Sequence, residues 1–172
     1  MTRRSRLAPE VDESWHTLFV TRSFLNWLAS TQVLLARRNI PDDDLIAEML
    51  RRAADWAALT DLGGRMAKSD PHQNRLVVYD DWFRAPTERA ALAEWCGLAE
   101  ASTELPIVRH YGGGSSFDLQ KKRDAPSEMD VLGRYLEFVD DPVFRTTLAR
   151  AKEDQTVWPV VARHFPEQAS FQ

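Results

Sequence analysis

Two short apolar segments predict β-strands near the start and the middle of the chain. Residues 15–21 read Trp-His-Thr-Leu-Phe-Val-Thr, and residues 75–79 read Arg-Leu-Val-Val-Tyr. Both segments are rich in β-branched and aromatic side chains, which favour strands. Because each apolar run is short and nearly continuous, the pattern is typical of strands that are buried on both faces of a parallel sheet.

Helical patterns fill the chain between these two segments. Residues 24–38 predict a mostly apolar helix that Ser23 is placed to cap. The acidic triplet at residues 42–44 then opens a second, longer helix, since negative charge is favoured at a helix N-terminus. Apolar residues recur every three or four positions until Gly63 and Gly64, which predict the end of this helix.

Further helical segments follow the second predicted strand. They cover residues 86–96, 131–138, 143–152 and 157–164, whereas residues 102–127 lack periodicity and are predicted to form a loop. Strands that alternate with helices predict an α/β fold with a parallel sheet. Since two strands make a poor sheet alone, we expect either a part of a larger α/β fold or a helix-rich fold around a minimal sheet.

The composition is that of a globular protein and excludes several classes. Of 172 residues, 44% are hydrophobic, and 22 basic against 26 acidic side chains give a net charge of −4. This weak negative charge offers no general attraction to nucleic acid. Charged residues interrupt every apolar run before it reaches membrane-spanning length. The single Cys96 excludes an internal disulfide and a cysteine-based zinc site, and the absence of a signal-peptide pattern favours a cytoplasmic location.

The first predicted helix carries polar side chains on one face of an otherwise apolar element. Ser23, Asn26 and Ser30 are spaced so that they share this face, and Arg22 precedes the helix at its positive end. A guanidinium and a hydroxyl in this arrangement have the donors to hold a phosphate. The alternative is a capped helix whose arginine pairs with a carboxylate.

Residues 18–30 resemble the second nucleotide-binding segment of sulfotransferases. In that family a strand leads into an arginine, and a serine follows two turns along the next helix, as Arg22 and Ser30 do in this sequence. The family's pair grips the 3′-phosphate of the sulfuryl donor, 3′-phosphoadenosine 5′-phosphosulfate (PAPS). The resemblance therefore implies that Arg22 and Ser30 bind this phosphate.

Two later segments resemble the same family in the same order. Residues 77–82, Val-Val-Tyr-Asp-Asp-Trp, are similar to the family's strand that ends in Tyr-Glu-Asp, which implies that Tyr79 lies near the adenine. Residues 115–117, Ser-Ser-Phe, resemble the family's segment that cups the adenine ring. This likeness implies that Ser115 donates to or accepts from an adenine nitrogen and that Phe117 covers the ring.

The resemblance implies a fold and an activity for residues 1–172, taken as a single domain. The expected fold is a partial P-loop-like, sulfotransferase-like three-layer α/β structure with a small parallel sheet and many helices. The expected reaction of the parent fold is transfer of a sulfuryl group from PAPS to the hydroxyl or amine of a small molecule or glycan, without a metal.

The chain departs from the family at the groups that carry the chemistry. No glycine-rich segment is followed by Lys-Ser or Lys-Thr, so the family's phosphate-binding loop is missing and the domain is expected to be incomplete at its N-terminus. No family motif places a histidine as a base, and each histidine is expected to be a surface or structural residue. The basic residues that follow the Ser-Ser-Phe segment are expected to lie in a solvated loop; they are Lys121, Lys122, Arg123 and Arg134.

The sequence also leaves two other classes of function open. In the first, the chain is a non-catalytic protein-interaction module on a degenerate nucleotide-binding fold, and a second copy or a partner chain covers the open edge of its sheet. In the second, the chain is a kinase-like nucleotide enzyme, which the missing Walker-type loop disfavours.

Overall fold

The computed structural model describes residues 15–98, 102–105 and 131–171. Within these ranges the chain forms two β-strands, seven α-helices and one 3₁₀ helix. In chain order they are β1 (Thr17–Thr21), α1 (Phe24–Ala36), α2 (Asp42–Ser69), β2 (Asn74–Val78), α3 (Tyr79–Arg84), α4 (Pro86–Trp95), the 3₁₀ helix (Arg134–Phe138), α5 (Pro142–Glu153), α6 (Trp158–His164) and α7 (Pro166–Ala169). This part of the chain is a helix-rich α/β structure, which confirms the predicted fold class at that level.

The two strands pair in parallel. β1 and β2 run side by side from Thr17 opposite Asn74 to Thr21 opposite Val78. Parallel strands need a long crossover connection, and α1 and α2 supply it. The residues that follow β1 and β2 therefore meet at one edge of the sheet. No third strand joins this sheet within the described ranges.

β1 is more exposed than its sequence pattern predicts. Phe19 lies against α2, because a Cβ added at Gly63 would be 2.7 Å from the Cβ of Phe19. Leu18 and Val20 point to the opposite face, since side chains alternate along a strand, and they are 42% and 63% exposed. The prediction of a strand buried on both faces is wrong for β1, because the described residues cover its Phe19 side far more than the other.

α2 continues through the two glycines that were expected to end it. The helix runs without interruption over Asp42–Ser69. Gly63 lies against the sheet, and a Cβ at Gly64 would lie 2.5 Å from Cε1 of His164. The absence of side chains at these positions lets a strand and a neighbouring helix approach the α2 backbone. The predicted helix end is wrong because these glycines serve close packing.

An aromatic cluster holds the start of α1 in place. Phe24 packs against Trp27, Trp56 and Trp158, with ring centroids 5.0 to 6.2 Å apart. Aromatic pairs at these separations contribute beyond the apolar area that they bury. The Nε1–H of Trp56 also donates to the backbone carbonyl of Arg22 at 3.2 Å. The residue that precedes α1 is therefore tied to α2 as well as to its own helix.

The remaining helices agree with the sequence in position. α4, α5 and α6 occupy the segments predicted at 86–96, 143–152 and 157–164, whereas the segment 131–138 forms only the short 3₁₀ helix. α3 and α7, which have six and four residues, were not predicted. None of the helices in the described ranges is both long and apolar enough to cross a membrane.

Candidate functional site

Arg22 lies between β1 and α1, at the edge where both strands of the sheet end. Its Nη1 donates to Ser30 Oγ at 2.9 Å, eight residues further along the chain. Its Nη2 donates to the backbone carbonyl of Val131 at 2.6 Å. The Arg22 side chain is only 16% exposed. The fold thus brings together the two side chains that the sequence analysis paired as phosphate ligands.

A carboxylate faces the same guanidinium. Oδ1 of Asp80 lies 3.7 Å from Arg22 Nε, which is within ion-pair range but too long for a hydrogen bond. Oδ2 of Asp80 accepts the backbone N–H of Ser23 at 2.8 Å, and Oδ1 accepts an N–H of the Asn26 amide at 2.7 Å. The anion at the N-terminus of α1 is therefore the protein's own carboxylate.

The start of α1 differs from the predicted serine cap. The Ser23 side chain makes no capping hydrogen bond to the helix backbone. Its Oγ instead accepts an N–H of the Asn26 amide at 3.0 Å, on the polar face that the sequence predicts. The guanidinium contacts the Ser30 hydroxyl and is also paired with a carboxylate, as the alternative interpretation of Arg22 expected.

Arg134 adds a second positive charge to this group. It begins the 3₁₀ helix and is 5% exposed, so the expectation that it lies in a solvated loop is wrong. Burial lowers the pKa of the Arg22 guanidinium from its ordinary value, Asp80 opposes that change, and the charge of Arg134 lowers the pKa further. The charge of Arg134 therefore acts on the same guanidinium that Asp80 faces.

Tyr79 brings an aromatic ring to the same edge of the sheet. The Cζ atom of Arg22 lies 5.7 Å from the centre of the Tyr79 ring, and Trp82 stacks on this ring with a centroid separation of 5.8 Å. Burial raises the pKa of the Tyr79 hydroxyl, while the charges of Arg22 and Arg134 oppose that rise. The hydroxyl therefore keeps its proton at neutral pH and remains a hydrogen-bond donor.

A groove of about 730 Å³ opens beside Arg22 and Tyr79. Its walls come from β1, α1 and α2 and include the indole rings of Trp27 and Trp56. Most of its lining is apolar, and its volume lies in the usual range for sites that bind small molecules. Its charged lining residues are Arg22, Arg52 and Asp55, so the groove can take a ligand that combines a flat ring with an anionic substituent.

Part of the predicted site falls outside the described residues. Ser115 and Phe117, which the resemblance places against the adenine, lie there. The triple glycine at residues 112–114 and the basic run at residues 121–123 also lie outside. Of the five predicted site residues, the structure thus brings together Arg22, Ser30 and Tyr79.

The three histidines in the described ranges occupy peripheral or packing positions. His16 packs against Trp95 with ring centroids 4.7 Å apart and the rings tilted, and His72 is exposed. The His164 ring packs beside Gly64. None of them contacts Arg22 in the hydrogen bonds and ion pairs of this site.

The sequence analysis missed Asp80 as the partner of both Arg22 and Asn26. A signal was present, because Asp80 closely follows the second predicted strand as Arg22 follows the first. The carboxyl ends of neighbouring parallel strands meet at one sheet edge, so side chains after both strands are expected to be close. No comparable signal marks Arg134, whose local sequence gives no indication that it is buried.

Neither a metal-binding cluster in the described ranges nor a similar protein helps to define the site. No group of three or more His, Cys, Asp or Glu side chains within the described ranges is arranged to hold a metal ion. Comparison of the chain with protein-family models, with curated proteins and with solved structures gives no match in any of the three.

Proposed function

We propose that this chain binds a 3′-phosphorylated adenine nucleotide, as the 3′-phosphate and adenine half of a sulfotransferase-like donor site. The observation on which the proposal depends is the hydrogen bond of 2.9 Å between Arg22 Nη1 and Ser30 Oγ. In this proposal Arg22 and Ser30 hold the phosphate, and Tyr79, Ser115 and Phe117 surround the adenine.

The hydrogen bonds of Arg22 and Ser30 leave donors for a phosphate. A guanidinium has five N–H groups, and the hydrogen bonds to Ser30 and Val131 use two of them. The Ser30 hydroxyl acts as an acceptor in its contact with Arg22, so its own hydrogen is available to a phosphate oxygen. Charge-assisted bonds of this kind are among the stronger ones in proteins.

The charges around Arg22 also support an anionic ligand. The positive charge of Arg134 acts on both Arg22 and Tyr79, and Asp80 faces Arg22. Both guanidiniums are largely buried, where charge interactions are less screened than at the surface. A phosphate beside Arg22 would be attracted by the charges of both guanidiniums.

The sheet supports the corresponding proposal for the fold. Arg22 and Tyr79 follow two adjacent parallel strands, and ligands of open α/β sheets bind beyond the carboxyl ends of such strands. We therefore propose that the two strands and their crossover helices are part of a P-loop-like, sulfotransferase-like three-layer fold. We also propose a cytoplasmic location, which the single Cys96 supports.

The proposed activity of the chain alone is binding without turnover. In sulfuryl transfer the bond between sulfur and the 5′-phosphate oxygen breaks, a bond from sulfur to the acceptor oxygen or nitrogen forms, and the acceptor proton passes to a base. The residues matched to the family provide neither that base nor a cation for the leaving 5′-phosphate. We expect PAPS to bind as adenosine 3′,5′-bisphosphate does, with no transfer to an alcohol or amine.

Calorimetric titration with adenosine 3′,5′-bisphosphate tests the proposal. We expect the wild-type protein to bind and Arg22→Ala to bind at least about tenfold more weakly, since hydrogen bonds to charged groups contribute about 1.5–3 kcal/mol. Ser30→Ala is expected to have a smaller effect in the same direction. Adenosine 5′-monophosphate, which lacks the 3′-phosphate, is expected to bind more weakly than the bisphosphate.

Arg65→Ala is the matched control, because Arg65 is an exposed arginine of α2 that pairs with Asp61 on the same helix. Its affinity is expected to equal that of the wild type. Since Arg22 also bonds the Val131 carbonyl, thermal unfolding of each variant is recorded so that affinities refer to folded protein. No binding by the wild type, or equal binding by Arg22→Ala, contradicts the proposal.

The exposed side of β1 favours a second candidate function, that of a protein-interaction module. Leu18 and Val20 present apolar side chains, and the edge of β1 away from β2 has no partner strand within the described ranges. Parallel sheets normally have both faces covered. A second copy of the chain, or another chain that supplies a strand, would cover this surface.

A further inference from the structure

We propose that Asp80 is a positioning residue, which holds Arg22 in the orientation that presents its terminal nitrogens to an anion. This inference rests on the proposed function. Asp80 itself touches no ligand in this proposal, since a carboxylate repels a phosphate. Its role follows from three contacts of one buried carboxylate with the residues around the start of α1.

The contacts of Asp80 fix its position closely. The residue is 3% exposed, and its two oxygens accept hydrogen bonds from the Ser23 backbone at 2.8 Å and the Asn26 amide at 2.7 Å. The amide of Asn26 also donates to the Leu132 carbonyl at 2.9 Å. A side chain bonded to these groups has little freedom to rotate, so the negative charge has a fixed place in the site.

The fixed carboxylate selects one orientation of the Arg22 guanidinium. Oδ1 of Asp80 lies 3.7 Å from Nε, the guanidinium nitrogen that is bonded to the aliphatic part of the Arg22 side chain. The Nη1 and Nη2 ends then point to Ser30 and Val131, and Tyr79 lies beside the group at 5.7 Å. Breaking a buried charge pair leaves an uncompensated charge, so Arg22 is expected to move when Asp80 is removed.

The two possible roles of Asp80, positioning of Arg22 and simple charge repulsion, predict different effects on the affinity for an anion. If Asp80 acts only as a nearby negative charge, Asp80→Asn raises the affinity for an anion and Asp80→Glu leaves it nearly unchanged. If Asp80 positions Arg22, both variants lower the affinity, the first by loss of the charge and the second by displacement of the carboxylate. Asp81 offers a matched control, because it is the adjacent carboxylate and its side chain is 56% exposed.

The experiment measures the affinity of adenosine 3′,5′-bisphosphate by calorimetry for the wild type, Asp80→Asn, Asp80→Glu and Asp81→Asn. We expect both Asp80 variants to bind at least about fivefold more weakly than the wild type, and Asp81→Asn to bind no more weakly. Circular dichroism at the titration temperature gives the folded fraction to which each affinity refers. Equal or tighter binding by Asp80→Asn overturns the inference.

A ligand-free measurement separates this inference from the proposed function. Crystal structures of the wild type and Asp80→Asn are compared, and we expect the contact between Arg22 Nη1 and Ser30 Oγ to be present in the first and lost in the second. Retention of this contact in the variant overturns the inference. If the wild type binds no nucleotide, the proposed function fails while these structures still decide the role of Asp80.

A variant of Asn26, which leaves Asp80 unchanged, tests the inference if the Asp80 variants do not fold. Asn26→Ser removes the amide that donates to the Leu132 carbonyl and to Asp80, but it leaves both charges in place. We expect it to lower the affinity for the bisphosphate, because the carboxylate is then less firmly held. Unchanged affinity in folded Asn26→Ser overturns the inference.

Discussion

Arg22 is held by groups from three parts of the chain, one nearby and two distant. Ser30 belongs to the helix that follows it, Asp80 to the start of α3, and Val131 to the segment before the 3₁₀ helix. The spacing of Arg22 and Ser30 is short enough for a helix to impose, so the sequence could predict their proximity. Asp80 and Val131 reach Arg22 only through the sheet pairing and the tertiary fold, which residue spacing does not encode.

His164 shows how packing changes the acid–base behaviour of a single residue. Its ring lies beside Gly64, and its Nε2 is buried without a hydrogen-bond partner among the residues that the structure describes. Burial lowers the pKa of His164, the nearby charge of Arg163 lowers it further, and Asp61 opposes these effects. The folded protein therefore binds this proton less readily than the unfolded chain.

We expect His164 to reduce stability in mild acid. In the unfolded chain His164 titrates near its ordinary pKa of about 6.5, and in the folded protein its pKa is lower. Its contribution to stability is therefore complete above about pH 6.5 and is lost as the pH falls through the pKa of the folded state. Between about pH 7 and pH 5 the melting temperature of the wild type should fall more steeply than that of His164→Gln. His72→Gln, at an exposed position, should keep the wild-type slope. Equal slopes for all three proteins would contradict this account.

At the scale of elements, α2 is the helix on which the sheet rests. The sequence located both strands, the approximate positions of most helices and the parallel sheet, because apolar periodicity records which face of an element is buried. It misplaced the end of α2 at Gly63 and Gly64. A glycine that ends a helix and a glycine that admits a neighbouring backbone look the same in one sequence, and only the tertiary contact distinguishes them.

Gly63→Ala tests this close approach. At an exposed position inside a helix, replacement of glycine by alanine stabilises by about 1 kcal/mol. Here the new Cβ would lie 2.7 Å from Cβ and 2.9 Å from Cγ of Phe19, so β1 must move. We expect a net loss of about 1–3 kcal/mol in the free energy of unfolding, measured with urea. Ala58→Gly, at an exposed position of α2, calibrates the helix propensity, and a more stable Gly63→Ala protein would refute the packing role.

For the whole molecule, the described residues leave one apolar surface uncovered. It includes Leu18 and Val20 of β1, together with exposed apolar side chains of α1 and α2 such as Leu34 and Leu59. β1 contains neither a charged residue nor proline, which are the features that commonly keep edge strands from pairing. The pattern of β1 predicted a strand but not its exposure. A hydrophobic run indicates that a segment favours a buried strand, but it does not show whether another element packs on each face.

Self-association through β1 is the expected behaviour if a second copy covers this surface. Light scattering should then show a mass that rises with protein concentration for the wild type. Val20→Lys places a charge in the exposed side of the strand and should give a monomer. Leu98→Lys changes an equally apolar exposed residue that follows α4, and it should associate like the wild type. A wild type that is monomeric at every concentration would rule out a second copy as the partner.

The hydrogen bonds of Asn26 and Arg22 to the 131–132 segment have a thermodynamic consequence. They tie the beginning of α1 to a stretch more than one hundred positions away, since the bonded residues are 106 and 109 positions apart in the chain. A small molecule that binds where α1 meets residues 131–132 binds only the folded protein, so its binding free energy adds to the stability of the native state. Thermal-shift screening of a nucleotide collection would therefore report occupancy directly, without any assay of turnover.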